Sequence, residues 1–197
     1  MCGRYALHAN PDVIALQFGL EVLPEFKASY NVRPGTNVLV VRGGRRASLL
    51  RWGAGNKLIN ARAETVEERP AFRNAFRQWR CLVPASGFYE WQSVAGRRQP
   101  WYVMPKDSAL LALAGIVLLW QGVRSVAIVT TAANKLMSGI HDRMPVIVAP
   151  EQYDAWLGPG DATTLLQPYP ADRMQAHPVS LRVNAPANDD EALLQPI

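Results

Sequence analysis

The chain has 197 residues, of which 49% are hydrophobic, and carries a net charge of +5. That length can bury a core without disulfides, and the composition excludes a disordered chain or a coiled coil. The longest apolar run, residues 109–120, is too short for a membrane-spanning helix, which needs about 20 residues. Because the N-terminus also lacks an apolar export signal, we expect a cytoplasmic, nucleoid-associated monomer without membrane contact.

Local signals in the first half of the chain predict two short helices and a hairpin. Asn10-Pro11 is typical of a helix start and Gly19 of its end. Segments 37–41 and 48–52 are apolar or branched and flank a glycine pair, which predicts a β-hairpin. The apolar spacing after Pro70 predicts one more short helix.

From residue 80 onward the pattern is mainly that of strands separated by Gly, Pro or charged turns. It predicts strands over 81–84, 87–92, 101–104, 110–119, 126–130, 146–149 and 179–183, and helices over 132–138 and 150–156. We find no repeat or linker. We therefore predict a single α+β domain over 1–197, with a largely antiparallel, barrel-like sheet flanked by short helices.

Two cysteines, Cys2 and Cys81, lie far apart, and the histidines are scattered. No Cys-x-x-Cys pair exists, so we expect free thiols, no metal and no cofactor.

Positive charge is concentrated in one stretch. Residues 42–98 hold twelve basic and four acidic side chains, a net charge of +8, whereas the rest of the chain is net −3. Arginine-rich stretches are typical of phosphate-binding surfaces, although a solvated face that binds nothing has the same composition. Arg73 and Arg77 of this stretch are candidate DNA-binding residues.

Cys2 has the most unusual position in the sequence. Removal of Met1 would give a 1,2-aminothiol, whose α-amine has a pKa near 7.7–8.0 and forms Schiff bases with aldehydes. The neighbouring thiol can then add to the imine carbon and close a thiazolidine ring. A cysteine that merely follows the start codon is the alternative.

Three further segments carry groups suited to such chemistry. The amide of Asn60 can orient an amine, and Arg62 two residues later can bind a phosphate, although an ordinary polar loop has the same residues. Glu90 lies between two aromatic residues, where desolvation would raise its pKa into the range useful for proton transfer; a salt-bridged surface glutamate is the alternative. Histidine side chains are suited to acid–base work, and His141 precedes a predicted strand, although a lone histidine is more often structural than catalytic.

These segments together resemble the SOS response-associated peptidase (SRAP) family, and the match runs in order from residue 2 to about residue 196. The segments that carry it are Cys2-Gly3-Arg4-Tyr5, Tyr30-Asn31-Val32-Arg33-Pro34-Gly35, Trp52-Gly53, Asn60-Ala61-Arg62-Ala63-Glu64-Thr65, Arg80-Cys81-Leu82-Val83-Pro84, Gly87-Phe88-Tyr89-Glu90-Trp91, His141-Asp142-Arg143-Met144-Pro145 and Val179-Ser180-Leu181-Arg182-Val183-Asn184.

The resemblance implies a sensor of abasic sites in single-stranded DNA that forms a thiazolidine crosslink through the mature N-terminal cysteine. It implies Cys2 as nucleophile, Asn60 as the residue that positions its amine, and Glu90 and His141 as proton-transfer groups. It also implies removal of Met1 by the protein itself and a lyase activity. Arg4, Arg62, Trp52 and Thr130 are the DNA contacts implied.

One segment departs from the family pattern. Only six residues separate Trp52-Gly53 from Asn60, where family members carry a longer insertion with a second tryptophan. Loss of a stacking platform would weaken DNA binding, because each stacked base contributes about 1–3 kcal/mol. Two other functions remain open: an N-terminal-cysteine amidohydrolase or peptidase acting in trans, and a non-catalytic binder of single-stranded DNA.

Overall fold

The architecture is that of a computed structural model that describes residues 2–55 and 57–197. The predicted loss of Met1 therefore lies outside the described residues. The described chain forms twelve strands and three α-helices, joined by loops and short 3₁₀ turns. The strands are β1 (Tyr5–Leu7), β2 (Ser29–Val32), β3 (Asn37–Arg42), β4 (Arg46–Trp52), β5 (Asn60–Arg62), β6 (Arg80–Ala85), β7 (Gly87–Val94), β8 (Arg97–Pro105), β9 (Leu111–Trp120), β10 (Val123–Ala132), β11 (Arg143–Pro145) and β12 (Met174–Pro178); the helices are α1 (Pro11–Phe18), α2 (Arg73–Gln78) and α3 (Tyr153–Leu157).

Five strands close into a barrel in the order β10-β4-β3-β6-β9, with β9 pairing back onto β10. Strand direction cannot alternate around a closed ring with an odd number of strands, so at least one neighbouring pair must be parallel. That pair is β4–β10, and the other four pairs are antiparallel. The predicted α+β class with a largely antiparallel, barrel-like sheet is confirmed.

A second, fully antiparallel sheet has the order β12-β8-β7-β1-β2. Strand β9 is buried without interruption from Leu111 to Leu118. A strand that is covered on both faces has an unbroken apolar sequence rather than an alternating one. The barrel thus forms the centre of the core, and the second sheet carries the N-terminal strand.

The local signals of the first half are confirmed. Asn10 caps α1 by accepting the backbone N–H of Asp12 at 2.8 Å, and Gly19 ends the helix in the left-handed conformation with φ of 62°. Strands β3 and β4 form the predicted hairpin.

Three predicted elements in the second half are wrong. Segment 132–138 is no helix: β10 runs on to Ala132, and the Asn134 side chain then accepts the Met137 N–H to close a turn. The predicted strand at 146–149 is displaced to β11, although Ile147 still bridges Leu113. The predicted strand at 179–183 is not formed: the last strand is β12, and residues 181–184 form a 3₁₀ turn.

Candidate active site at the N-terminal cysteine

Strand pairing brings the four predicted catalytic residues together from four separate parts of the chain. Cys2 precedes β1, which pairs with β7, the strand that carries Glu90. Asn60 begins β5, and its Nδ2 donates to the Cys2 carbonyl oxygen at 3.0 Å. His141 precedes β11, and its Nε2 lies 4.0 Å from Glu90 Oε2. Because β5 and β11 both pair with β10, that strand aligns Asn60 and His141 with the cysteine.

The Cys2 side chain is fully buried. Burial raises the pKa of its thiol well above the usual range, and the negative charge of Glu90 raises it further. A backbone hydrogen bond from Arg4 opposes this shift. The sulfur is therefore a protonated thiol at neutral pH and becomes a nucleophile when a nearby base accepts its proton.

Glu90 is 1% exposed on β7. Desolvation raises the pKa of its carboxyl above the ordinary value, and the nearby His141 ring opposes the rise. A carboxyl group with a raised pKa retains its proton closer to neutral pH than an exposed glutamate does, which is the property of a general acid.

His141 is held by its own loop. Its Nδ1 lies 3.0 Å from the Arg143 backbone nitrogen and 2.8 Å from Asp142 Oδ1. A bare Nδ1 accepts the backbone N–H, whereas a protonated Nδ1 donates to the carboxylate, so the loop has a partner for either state of this nitrogen. The position of Nε2 towards Glu90 is maintained in both cases.

An ion pair joins the His141 loop to the segment that carries Asn60. Arg143 contacts both carboxylate oxygens of Glu64, at 2.5 and 3.0 Å, and also donates to the Thr130 carbonyl oxygen at 2.7 Å. A bidentate arginine–carboxylate pair fixes orientation as well as distance. The Glu64–Arg143 pair therefore aligns the two segments across β10.

An open cavity of about 400 Å³ lies next to Glu90 and is lined by Gly3, Arg4, Glu90, Trp91, Arg98 and Asn184. Arg4 is half-buried, and its Nη1 donates to Asn31 Oδ1 at 2.7 Å and to the Val183 carbonyl at 2.8 Å. Trp91 donates from Nε1 to Asn184 Oδ1 at 2.8 Å. The cavity thus offers two guanidinium groups and one aromatic ring beside the buried acid.

A second open cavity shares Trp91 with the first and includes His141 and Asp142 in its lining. Glu90 therefore lines one of the two cavities and His141 the other.

The structure places the predicted DNA contacts in different environments. Arg4 lines the cavity, and Arg62 is exposed at the end of β5. Arg73 and Arg77 are exposed on α2, which packs against β6 and β9, and neither lines the two cavities beside Trp91.

Two predicted DNA contacts, Trp52 and Thr130, are buried in this structure. Trp52 is fully buried, and its Nε1 donates to the Ile59 carbonyl at 3.0 Å. Thr130 is also fully buried, with its Oγ1 3.2 Å from Arg143 Nη2. Trp52 thus packs in the barrel core and Thr130 supports Arg143, and their contact with DNA stays a prediction.

Sequence reasoning missed Trp91, Arg98 and Arg143 as members of the site. The sequence does carry a signal for Trp91, which directly follows Glu90, and for Arg143, which belongs to the same motif as His141. Arg98 gave no local signal, since it belongs to the hairpin of β7 and β8 and reaches the cavity only through that pairing.

No cluster of three or more His, Cys, Asp or Glu side chains suited to a metal occurs in the described part of the chain. Cys2 and Cys81 are both free thiols. None of the helices within residues 2–55 and 57–197 has the length and apolarity needed to cross a membrane.

The fold and site define an α+β protein with a cysteine near its N-terminus, held among acid–base groups beside a cationic cavity. A family model described as "SOS response associated peptidase (SRAP)" matches residues 1–186. The chain belongs to this family, as its motifs predicted.

Named relatives extend over nearly the whole chain. "Abasic site processing protein YoaM" of Bacillus subtilis is 40% identical over 98% of this chain and 97% of its own length. "Abasic site processing protein YedK" of Escherichia coli is 29% identical, and the match covers the whole length of both chains. A crystal structure from Bordetella bronchiseptica matches with a TM-score of 0.81 and 27% identity, covering 91% of this chain and all of its own. One from Bacteroides thetaiotaomicron, at 24% identity, matches over the full length of both chains with a TM-score of 0.88, which supports the fold.

Proposed function

We propose that this protein recognises abasic sites in single-stranded DNA and traps them as a thiazolidine crosslink on Cys2 after Met1 has been removed. The observation that carries the proposal is the convergence of Cys2, Asn60, Glu90 and His141 beside a cavity with two guanidinium groups. An abasic sugar matches this site because it combines a latent aldehyde with flanking phosphates. The names of the relatives support the same substrate.

The first step is opening of the sugar. The C1′–O4′ bond of the hemiacetal breaks, O4′ gains a proton and the C1′ hydroxyl loses one, which leaves an aldehyde. Glu90 is the proposed acid because its pKa is raised, and His141 is the proposed partner in proton exchange because its Nε2 lies 4.0 Å away.

The second step is formation of the ring. The Cys2 amine adds to the aldehyde and water leaves, giving an imine; the sulfur then bonds to C1′, and the thiol proton moves to nitrogen. Burial keeps the thiol protonated until this stage, so it arrives with the proton that the nitrogen requires. Asn60, held against the Cys2 backbone, orients the amine.

Two related activities belong to the same proposal. Hydrolysis of the Met1–Cys2 amide, assisted by Cys2 itself, consumes one water and releases the amine. When the imine loses a proton from C2′ instead of closing, the 3′ phosphate leaves and the strand is cleaved, which is a lyase reaction.

Intact mass spectrometry and denaturing gels test the proposal on purified protein with confirmed loss of Met1. Mixed with single-stranded DNA that carries one abasic site, the protein should give a heat-stable adduct whose mass is the sum of both partners minus one water. Cys2→Ala should give none, whereas the matched control Cys81→Ser should crosslink normally, because Cys81 is buried on β6 and lines neither cavity beside Trp91.

The two alternative functions, a hydrolase acting in trans and a non-catalytic binder of single-stranded DNA, predict different results. Turnover of peptide or amide substrates without DNA would replace the proposal with a hydrolase acting in trans. Salt-sensitive DNA binding that ignores the abasic site and survives Cys2→Ala would replace it with a non-catalytic binder.

A further inference from the structure

A groove with exposed apolar side chains lies at the opposite end of β10 from Arg62 and Thr130. It has a volume of about 330 Å³ and is lined by Pro70, Ala71, Asn74, Ala75, Trp79, Val117, Leu118, Leu119 and Arg124. We call it the α2–hairpin groove, because α2 and the hairpin of β9 and β10 form its two walls. Trp79 is 46% exposed and Leu119 73% exposed. Exposed large apolar side chains gathered in one depression mark a binding surface.

The charges of this groove are of one sign. Arg124 is the only charged residue among those that line it, and its guanidinium lies 5.7 Å from the centroid of the Trp79 ring. Arg73 and Arg77 are both exposed and lie four residues apart on α2, the helix that also contributes Asn74 to the groove. Residues four apart lie on one face of a helix, so both guanidinium groups border the same side of α2. The ligand that complements this surface is an anion with flat apolar groups.

Single-stranded nucleic acid has that chemistry. Its bases stack on exposed tryptophan and on the plane of a guanidinium, while its phosphates pair with arginine. An acidic protein segment would satisfy the charge, but it would not use the flat faces of Trp79 and Arg124.

The groove lies within reach of a strand bound at the Cys2 site. Thr130, which is in register with Arg62, follows Arg124 by six residues along β10, a distance of about 20 Å at the rise of a β-strand. Because β10 itself is buried from Ser125 to Thr131, a strand that leaves the active site past Arg62 would cover that distance over the elements that enclose β10.

We propose that the α2–hairpin groove is a second subsite for single-stranded DNA, which takes a base against Trp79 and the neighbouring phosphates at Arg124, Arg73 and Arg77. The inference rests on the proposed function, because it concerns the strand on either side of the lesion. It also accounts for the position of Arg73 and Arg77 outside the active-site cavities.

Oligonucleotides of two lengths without abasic sites separate the two subsites by fluorescence anisotropy. Small strand-binding folds have site sizes of about 4–16 nucleotides, so an oligomer of about 4 occupies one subsite and one of about 16 spans both. Trp79→Ala and Arg124→Ala should each weaken binding of the longer oligomer by at least about fivefold, the low end of the effect of one stacked base. Each should leave the short oligomer's affinity for the active site unchanged.

Two matched controls complete the experiment. Leu16→Ala removes an exposed apolar side chain from α1, and Arg97→Ala removes a guanidinium from β8; neither residue lines the groove. Thermal melting of every variant checks the fold, and Arg124→Ala keeps the test decisive if Trp79→Ala unfolds.

Three outcomes distinguish the inference from the proposed function. Unchanged affinity of the longer oligomer in both variants overturns the second subsite and leaves the groove to a protein segment. Equal losses for both lengths also overturn it, since the groove would then belong to the primary site. Length-dependent losses together with an absent abasic-site adduct would support the subsite while removing the proposed crosslinking.

Discussion

The buried carboxyl group of Glu90 serves the proposed reaction but lowers the stability of the folded protein. Its pKa is raised by burial, so the folded protein holds this proton more tightly than the unfolded chain does. Stability must then fall as the pH rises from the ordinary glutamate value, near 4.3, through the raised value. Below that pH window the Glu90 carboxyl is protonated in both the folded and the unfolded chain, so its burial no longer lowers the free energy of unfolding.

We therefore expect Glu90→Gln to raise the melting temperature at pH 8 and to have little effect below pH 4. The gain is about 1.4 kcal/mol for each unit by which the pKa is raised, and each kcal/mol corresponds to about 2–4 °C for a chain of this size. Crosslinking should slow by about 10²–10⁴-fold, the usual contribution of a proton-transfer group. Differential scanning calorimetry across pH and single-turnover crosslinking measure the two effects.

Glu64→Gln is the matched control, with the opposite sign. Hydrogen bonding to Arg143 lowers the pKa of Glu64. Its contribution to the free energy of unfolding is therefore present above the ordinary glutamate pKa and is lost as the pH falls through the lowered pKa. Because Glu64 is half-exposed, the change should stay below about 1 kcal/mol, and it should lower the melting temperature at pH 8. A lower melting temperature for Glu90→Gln at pH 8 would contradict the assignment of Glu90 as a desolvated acid.

At the scale of elements, close contact between β6 and β9 depends on a glycine. A Cβ built on Gly115 would lie 2.8 Å from Cys81 Sγ, 3.1 Å from Val126 Cγ2 and 3.3 Å from Val83 Cγ2. Cys81 and Gly115 are paired in register, so the small residue of one strand makes room for the thiol of the other. Burial raises the Cys81 pKa to about 12, which leaves it an inert apolar group.

Gly115→Ala should destabilise the protein by about 1–3 kcal/mol through overpacking. Adding Cys81→Ala should recover part of that loss, because it removes the closest atom. A double-mutant cycle from urea denaturation should give a favourable coupling of about 0.5 kcal/mol or more. Simple additivity of the two changes would show that the barrel adjusts without the contact.

The elements that local sequence predicted are those with local causes. Asn10 and Gly19 delimit α1 by their own hydrogen-bonding and backbone properties, and the glycine pair fixes the hairpin of β3 and β4. Strand β5 has no such cause. Its three residues, Asn60–Arg62, form a strand because β10 offers an open edge beyond β4.

The site was predictable through motifs rather than through spacing. Nothing in the sequence states that Asn60, Glu90 and His141 meet at Cys2, since each is placed by long-range strand pairing. The sequence alone also does not give the surroundings of Trp52 and Thr130, because an aromatic or hydroxyl side chain inside a motif supports a site from the core as readily as it contacts a ligand. Only the fold shows that both side chains are buried.

At the scale of the whole molecule, the basic stretch contains guanidinium groups that face solvent, such as that of Arg62, and the guanidinium of Arg80, which holds the interior together. Arg80 is 6% exposed. Its Nε donates to the Trp156 carbonyl at 2.6 Å, Nη1 to Phe76 at 2.7 Å, and Nη2 to Gly158 and Gly160 at 2.6 and 3.0 Å. This side chain connects β6 to α2 and to the end of α3, and it is not available to phosphate.

Arg62→Ala and Arg80→Ala should therefore affect different properties. Arg62 is exposed, so its loss should leave the melting temperature unchanged and reduce the slope of log Kd against log salt by about 0.7 for single-stranded DNA, the contribution of one phosphate contact. Loss of Arg80 leaves several buried carbonyls without a donor, at about 1–3 kcal/mol each, so the protein should lose at least about 3 kcal/mol of stability. At a temperature where Arg80→Ala remains folded, its salt slope should equal that of the unaltered chain. A reduced salt slope for Arg80→Ala would contradict its assignment to the interior. An unchanged salt slope for Arg62→Ala would contradict its assignment as a phosphate contact.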